Sequence, residues 1–384
     1  MKILLAPDSF KGSLSSLEVI KILKRSARRV FPSVDFLEVP IADGGEGTVD
    51  ALVIAGGGEY REKIVKDPLG RPVKARYGII RQRTAVIEMA QASGLPLLPA
   101  EERNPLITTS YGTGELIRAA LDEGLRDIII GIGGSATNDG GIGAVQALGI
   151  KFVDAQGKEL GFGGRELARI ESISIEGLDP RIKESRITVI CDVTNPLTGG
   201  KGATAVYGPQ KGATEEMLKE LEAGMKHYAR LLRETTGLDM DRIPGSGAAG
   251  GLGAALVGFF HAVLKPGAET ILDLVGFDEL LEGVDLVVTG EGKMDGQSLY
   301  GKTPLGVAER CRRRGIPVIA VAGMIGEDAS RLYGHGIGSM MSTYKENLPL
   351  EEAMERAAEL LEDAGDRMFR LIRIGMGIQC KQTS

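Results

Sequence analysis

One ten-residue pattern occurs twice in this chain. Asp43-Gly44-Gly45-Glu46-Gly47-Thr48-Val49-Asp50-Ala51-Leu52 reads D-G-G-x-G-x-V-x-A-L, and so does Asp139-Gly140-Gly141-Ile142-Gly143-Ala144-Val145-Gln146-Ala147-Leu148. Each copy follows an apolar run, at residues 36–42 and 128–132, and opens into a helix-like pattern. Glycines can expose consecutive backbone N–H groups and tolerate positive φ. A helix N-terminus adds a partial positive charge. Such a loop suits a phosphate or a carboxylate, with the Asp at its rim available to a metal or a hydroxyl. The plain structural alternative is a helix start in which Gly permits close strand–helix packing.

The 55 glycines are about twice the number that average usage of ~7% would give, and they cluster at the ends of apolar runs. Loop-borne sites sit there in α/β proteins. A length of 384 residues is expected to divide into two or three domains. The net charge of −6 carries no broad basic excess, which argues against a nucleic-acid partner. Lys24, Arg25, Arg28 and Arg29, like Arg310 and Arg312 to Arg314, sit in the last turns of expected helices and complement their dipoles. Cys191, Cys311 and Cys380 are far apart and offer neither a disulfide framework nor zinc spacing, which suits a cytoplasmic location. No run approaches ~18 apolar residues, so no membrane association is expected.

The chain opens as strand, loop, helix. Residues 2–6 are apolar, Ser15-Ser16-Leu17-Glu18 is a capping box, and Leu17, Ile20, Leu23, Ala27 and Val30 keep helical spacing. A second strand leads into the first glycine loop, so parallel strands with the site at their C-terminal ends are expected. From about residue 60 the texture changes. Residues 64–66, Asp67-Pro68-Leu69-Gly70 and residues 73–80 read as a hairpin, followed by strands at 84–89, 127–132 and 186–192. The βαβ rhythm returns with strands at 284–289, 317–322 and 337–342 and helices near 304–314 and 350–372. The expected fold is α/β. Segments 1–59 and 285–384 form a Rossmann-like, doubly wound parallel-sheet domain, residues 60–284 form a large inserted mixed α/β domain, and the site lies in the interdomain cleft.

Two pattern matches lack their structural context. Gly296-Gln297-Ser298-Leu299-Tyr300-Gly301-Lys302-Thr303 spells a P-loop, but the expected strand ends at Thr289 and Pro304 disfavours helical geometry at Thr303. Lys302 can still contact a phosphate, because a helix starts at Pro304. Gly245-Ser246-Gly247-Ala248-Ala249-Gly250 spells a dinucleotide fingerprint but follows a loop-like segment. A buried helix is expected at 251–260. His227, His261 and His335 stand alone, which leaves acid–base work to carboxylates and lysines. These gather at strand ends: Asp8, Ser9, Lys11 and Ser13 after strand one, Asp192 with Asn195-Pro196 after residues 187–191, and Glu291, Lys293 and Asp295 after residues 284–289. Acids and glycines at five strand ends suit phosphoryl transfer, which needs carboxylates for Mg²⁺, N–H groups and Lys for phosphates, and a base for the attacking hydroxyl.

Six segments resemble the bacterial glycerate kinases of the type-1 family, in a match running from residue 2 to about 375. They are Ala6-Pro7-Asp8-Ser9-Phe10-Lys11-Gly12-Ser13, Ala42-Asp43-Gly44-Gly45-Glu46-Gly47-Thr48, Thr108-Thr109-Ser110-Tyr111-Gly112-Thr113-Gly114-Glu115, Gly131-Ile132-Gly133-Gly134-Ser135-Ala136-Thr137-Asn138-Asp139-Gly140-Gly141, Cys191-Asp192-Val193-Thr194-Asn195-Pro196-Leu197 and Thr289-Gly290-Glu291-Gly292-Lys293-Met294-Asp295. The resemblance implies ATP, Mg²⁺ and D-glycerate, with phosphate placed on the 2-hydroxyl, and a two-domain α/β fold unlike other kinases. A homodimer stays open. The alternatives are a non-catalytic sugar-acid or nucleotide sensor and a P-loop NTPase using residues 296–303.

Roles within these segments follow from side-chain chemistry. Asp192 is the expected base, because Lys11 beside Asp8 would lower that rival's basicity. Asp8 and Lys11 then orient the transferring phosphoryl group. Ser9, Gly44, Gly45, Gly133, Gly134, Ser135, Asn138, Asp139, Gly140, Gly141, Asn195 and Lys302 are expected to hold anionic oxygens of ATP or glycerate. Glu291 and Asp295, with Asp43, are expected to hold Mg²⁺ directly or through water.

Overall fold

The computed structural model describes all residues except Tyr300, Gly301, Glu346 and residues 378–384, so Cys380 and two members of the P-loop match lie outside the described residues. The chain opens with β1 (Lys2–Pro7), α1 (Ser16–Val30), β2 (Asp35–Glu38) and α2 (Thr48–Ala55). Next come β3 (Glu59–Lys66), β4 (Pro72–Ile80), β5 (Thr84–Glu88), α3 (Ala90–Ser93), α4 (Tyr111–Asp122), β6 (Asp127–Gly131), α5 (Ile142–Gln146), β7 (Lys151–Val153), β8 (Ser172–Ser174) and β9 (Arg186–Ile190). These lead to α6 (Ala203–Tyr207), α7 (Glu215–Thr236), α8 (Leu252–Phe260), β10 (Val263–Lys265), α9 (Gly267–Leu274) and α10 (Phe277–Leu280). The chain ends with β11 (Leu286–Met294), α11 (Thr303–Arg313), β12 (Val318–Ile325), β13 (Ser339–Ser342), α12 (Leu350–Glu355) and α13 (Ala357–Gly377). None of the helices among the described residues is long and apolar enough to cross a membrane.

The chain falls into two compact units, Met1–Ala42 with Ala268–Ser384, and Asp43–Gly267. These divisions come earlier than residues 59/60 and 284/285. Packing explains the difference. Val49 and Val53 of α2 close over Gly78 of β4, so α2 belongs with the second unit. Arg310 of α11 is held by Glu269 and Asp273 of α9, so α9 belongs with the first.

In the first unit the sheet order is β13-β12-β11-β1-β2, with every pair parallel. From β1 the chain moves one way to β2, while β11, β12 and β13 extend the other way. The switch point therefore lies between β1 and β11, and in such sheets ligands bind at the C-terminal ends beside it. The capping box holds the start of α1: Ser15 N–H donates to Glu18 at 2.8 Å, and Glu18 N–H donates to Ser15 Oγ at 3.3 Å. Val19, Ile20, Leu23 and Ala27 of α1 join Leu361, Met368 and Phe369 of α13 in one core cluster. β11 runs on to Met294, past the expected end at Thr289, because β12 lengthens with it and pairs Met294 with Ile325.

In the second unit the order is β10-β9-β6-β5-β4-β3. β3 and β4 form the expected antiparallel hairpin around Asp67 and Gly70, while β5, β6, β9 and β10 are parallel. The apolar run of α8 is buried as expected. The small β7–β8 sheet and the 22-residue α7 add elements that the sequence reading did not name.

Candidate active site

The first unit gathers a polar cluster at its switch point. Asp8, only 5% exposed, follows β1. Its carboxylate accepts the Ser9 N–H at 2.6 Å and the Thr303 hydroxyl at 2.8 Å, and its N–H donates to the Gly290 carbonyl of β11 at 2.8 Å. Among the described residues the buried Ser9 Oγ has no hydrogen-bond partner, which leaves a hydroxyl beside Asp8. On the neighbouring strand, Glu291 accepts the Ser298 hydroxyl at 2.7 Å and pairs with Lys302 Nζ at 3.2 Å. Burial pushes the Glu291 carboxyl above its ordinary range, while Lys302, Ser298 and Lys11 oppose the shift. Asp295 pairs with Lys293 at 2.9 Å. Asp8, Ser9, Lys11, Glu291 and Lys302 thus come together, joined by Ser298 and Thr303.

Lys302 stands before α11 as its N-cap, and its ammonium faces Glu291. A P-loop lysine lies inside the first helical turn, so this context does not match one. The G-x-G-x-x-G match follows a 3₁₀ turn, Met240–Arg242, and not a strand.

The second unit brings the first glycine loop against residues 131–133. Gly133 N–H donates to the Gly44 carbonyl at 3.2 Å. A Cβ on Gly44 would lie 2.4 Å from Ile190 at the end of β9, and one on Gly131 would lie 2.5 Å from the Gly44 carbonyl. Only glycine allows these strand ends to approach so closely. Gly134 and Glu46 remain exposed at the loop tips, and Ser135 is buried behind them. The Asp43 carboxylate accepts Gly45 N–H at 3.1 Å. Asp192 is exposed, two residues past β9, and accepts the N–H of Gly267, the first residue of α9. A Cβ on Gly267 would lie 2.2 Å from the Asp43 carbonyl and 2.7 Å from Asp192 Oδ2, so these three residues are neighbours.

The second glycine loop behaves differently. Asp139 is fully buried and accepts from Ser110 N–H and Oγ at 2.8 Å, from Gly141 N–H at 3.1 Å and from Gly143 N–H at 3.3 Å. Gly140 N–H is taken by the Gly250 carbonyl. Side chains at Gly140 and Gly141 would meet Tyr228 and Ala255. The donors expected to face an anion are spent inside the core, so this copy takes the structural alternative. Asn138 is also buried and donates to Thr204. Asn195 donates to the Lys201 carbonyl and accepts from Tyr207, which commits its amide to its own loop.

Two buried titratable side chains were missed in the sequence. Glu88 ends β5 and accepts Val49 N–H at 2.7 Å; burial raises its carboxyl to about 7. Asp8 and Asp192 carry the same strand-end signal, but no glycine follows Glu88 to draw attention to it. Lys211 donates to the Thr137 carbonyl at 2.6 Å; burial lowers it to about 7 against the pull of Asp139. In sequence it reads as an ordinary surface turn.

Among the described residues no group of three or more His, Cys, Asp or Glu converges as a metal cage. Glu291 and Asp295 are each paired with a lysine, Lys302 and Lys293; one or two carboxylates suffice for a cation that arrives on phosphate oxygens.

Residues 3–373 match the model of the glycerate kinase family. A Bacillus subtilis glycerate kinase is 51% identical, over 94% of this chain and 95% of its own. An Escherichia coli glycerate 2-kinase is 48% identical, over 98% and 99% respectively. The crystal structure of a Salmonella typhimurium LT2 protein assigned as glycerate kinase 2 superposes with a TM-score of 0.84, at 47% identity, over 98% of this chain and all of that one.

Proposed function

This chain belongs to the glycerate kinase family, and from that we propose that it transfers the γ-phosphoryl group of ATP to D-glycerate at the 2-hydroxyl, giving 2-phosphoglycerate and ADP. The observation that carries the reading is the match with the Escherichia coli glycerate 2-kinase, 48% identical across 98% of this chain. Acids and lysines at the C-terminal ends of β1 and β11 support it, because phosphoryl transfer is mostly positioning and charge stabilisation.

In this reading, the glycerate carboxylate binds where the first glycine loop meets residues 133–134, at the exposed Gly134, since the Gly45 and Gly133 N–H groups are already taken by Asp43 and the Gly44 carbonyl. Asp192, exposed just beyond the same strand ends, takes the proton from the attacking hydroxyl. Asp8 is a poorer base, since its oxygens are engaged by Ser9 and Thr303. It serves with Lys11 to orient the transferring group, while Ser9 and Lys302 offer donors to phosphate oxygens. Glu291 and Asp295 would hold Mg²⁺ with ATP phosphate oxygens and waters. Such an ion would supply neutralisation of phosphate charge there.

Formation of ADP with and without D-glycerate, followed by phosphorus NMR of the product, tests this. Glycerate-dependent ADP and a 2-phosphate signal are expected. A 3-phosphate product overturns the regiochemistry, and absence of stimulation by any short hydroxy acid favours a sensor.

A further inference from the structure

We propose that Glu88 is a positioning residue for glycerate binding: its buried carboxylate holds the N-terminus of α2, and through it the first glycine loop, in the substrate-binding conformation. The inference rests on the reading that this loop holds the glycerate carboxylate.

α2 begins after Gly47, which has φ 90° and supplies no side-chain cap. The missing acceptor comes from another element. Glu88 Oε1, at the end of β5, accepts Val49 N–H, the second amide of the helix, at 2.7 Å. A carboxylate in that place satisfies an otherwise orphaned donor and complements the helix dipole. Glu88 also lies opposite Gly131 in the parallel β5–β6 ladder, and Met89 N–H donates to the Gly131 carbonyl at 2.9 Å. Gly131 and Gly133 are the residues against which Gly44 packs. The loop is thus pinned at its start by Gly133 and at its end by Glu88, with both anchors on adjacent strand ends. The positioning is indirect, since Glu88 is 3% exposed and reaches the helix, not the loop tip.

A charged carboxylate accepts a stronger hydrogen bond than a neutral one. The anchor should therefore weaken as Glu88 takes up its proton, near pH 7. The groups facing Glu88 are Asp50 of α2, which favours the protonated form, Arg76 of β4 and the neutral amide of Gln91 on α3, which oppose it, and the phenol of Tyr60 on β3, which burial and Asp50 keep neutral through this range. Gly131 of β6 brings no charge.

The test compares wild type, Glu88→Gln and Glu88→Ala by steady-state kinetics across the pH range and by hydrogen exchange of the Val49 amide. Gln keeps an acceptor without the charge and mimics the protonated state. At alkaline pH, Glu88→Gln should raise KM for glycerate about fivefold and Glu88→Ala more, with KM for ATP and kcat nearly unchanged. The wild-type glycerate KM should rise on acidification through pH about 7, and in Glu88→Gln that dependence should be gone. Unchanged glycerate KM in both folded variants, or an unaltered pH profile in Glu88→Gln, overturns the proposal. If the wild type shows no glycerate-dependent turnover, the functional reading fails, and the exchange rates then decide the anchoring: faster Val49 exchange in Glu88→Ala supports it, and equal protection overturns it.

Discussion

The Thr303 hydroxyl donates to Asp8 Oδ2 at 2.8 Å and ties the first turn of α11 to the loop after β1. Both residues are buried, so a lost donor would not be replaced freely by water. Thr303→Val should cost roughly 1–3 kcal/mol of stability by leaving a buried carboxylate one donor short. It should also lower kcat, because Asp8 loses one of the bonds that orient it. Thr303→Ser should restore both. Thermal melting and kcat measured on the three proteins check this, and a Thr303→Val enzyme with full activity would remove Asp8 orientation from the mechanism.

The two glycine loops should respond differently to side chains. Gly140 has φ 63°, and a Cβ there would lie 2.6 Å from the Tyr228 ring. Gly140→Val should cost about 2 kcal/mol or more by overpacking, without a selective change in either KM. Gly134 has φ 74° but is exposed, and its added Cβ would meet Ala90 at 3.4 Å, an ordinary contact. Gly134→Ala should mainly strain the loop and raise glycerate KM severalfold with little loss of melting temperature. Equal melting losses in both would show that the loops are alike.

That contrast marks the limit of what the sequence made legible. The two copies are identical in pattern, and both do place a left-handed glycine at a helix start, Gly47 and Gly141. What separates them is burial by Tyr228, Leu252 and Ala255, residues about a hundred positions away, and no local signal carries that. Strand-end acids were readable at Asp8 and Asp192 because short-range chemistry, an apolar run followed by an acid and a turn, places them. Glu88 and Lys211 were not, because their significance comes from the elements that bury them. The parallel first-unit sheet was visible in its βαβ rhythm. The extension of β11 to Met294 was not, since it depends on pairing with Ile325 of a strand still to come.

Glu88 and Lys211 should give the fold opposite pH dependences in different windows. The Glu88 pKa is raised from 4.5 to about 7 on folding. Its neutral form is favoured in the fold, so its contribution is fully present below pH 4.5 and is lost as pH rises through about 7. Lys211 is lowered from 10.5 to about 7, so its contribution is fully present above pH 10.5 and is lost as pH falls through about 7. Glu88→Gln should be the more stable protein above pH 7, by up to about 3 kcal/mol, with the gain fading on acidification. Lys211→Met should flatten the rise in wild-type stability above pH 7. Denaturant titrations at several pH values check both, and parallel curves for variant and wild type would refute the corresponding assignment.

Glu291 is held by Ser298 and Lys302, so Glu291→Gln keeps the Ser298 contact while removing the charge. If Glu291 takes Mg²⁺ with the nucleotide, the Mg²⁺ dependence of the rate should move to higher concentration, by roughly tenfold for one lost carboxylate. Saturating Mg²⁺ should restore much of kcat. A variant that only melts earlier, with an unchanged Mg²⁺ titration, would assign Glu291 to anchoring Lys302 and residue 298 instead.

The choice between Asp192 and Asp8 as base turns on what each carboxylate is already doing. Asp8 is buried at 5% exposure and held by Ser9 N–H and the Thr303 hydroxyl. Asp192 is exposed and accepts from Gly267 N–H, at the start of α9. The exposed group can reach a bound hydroxyl, and its Gly267 contact fixes its direction. The same contact is also what a plain helix-capping residue would make, so the variant must separate the two roles. Asp192→Asn keeps an acceptor for Gly267 and removes the proton acceptor. It should cut kcat by about 10²-fold or more while leaving ATP binding and melting temperature close to wild type. A merely capping Asp192 would leave both kcat and melting temperature near wild type in Asp192→Asn, and only Asp192→Ala would lower the melting temperature. If Asp192→Asn turns over normally and Asp8→Asn is folded but inactive, the base is Asp8 and the two assignments exchange.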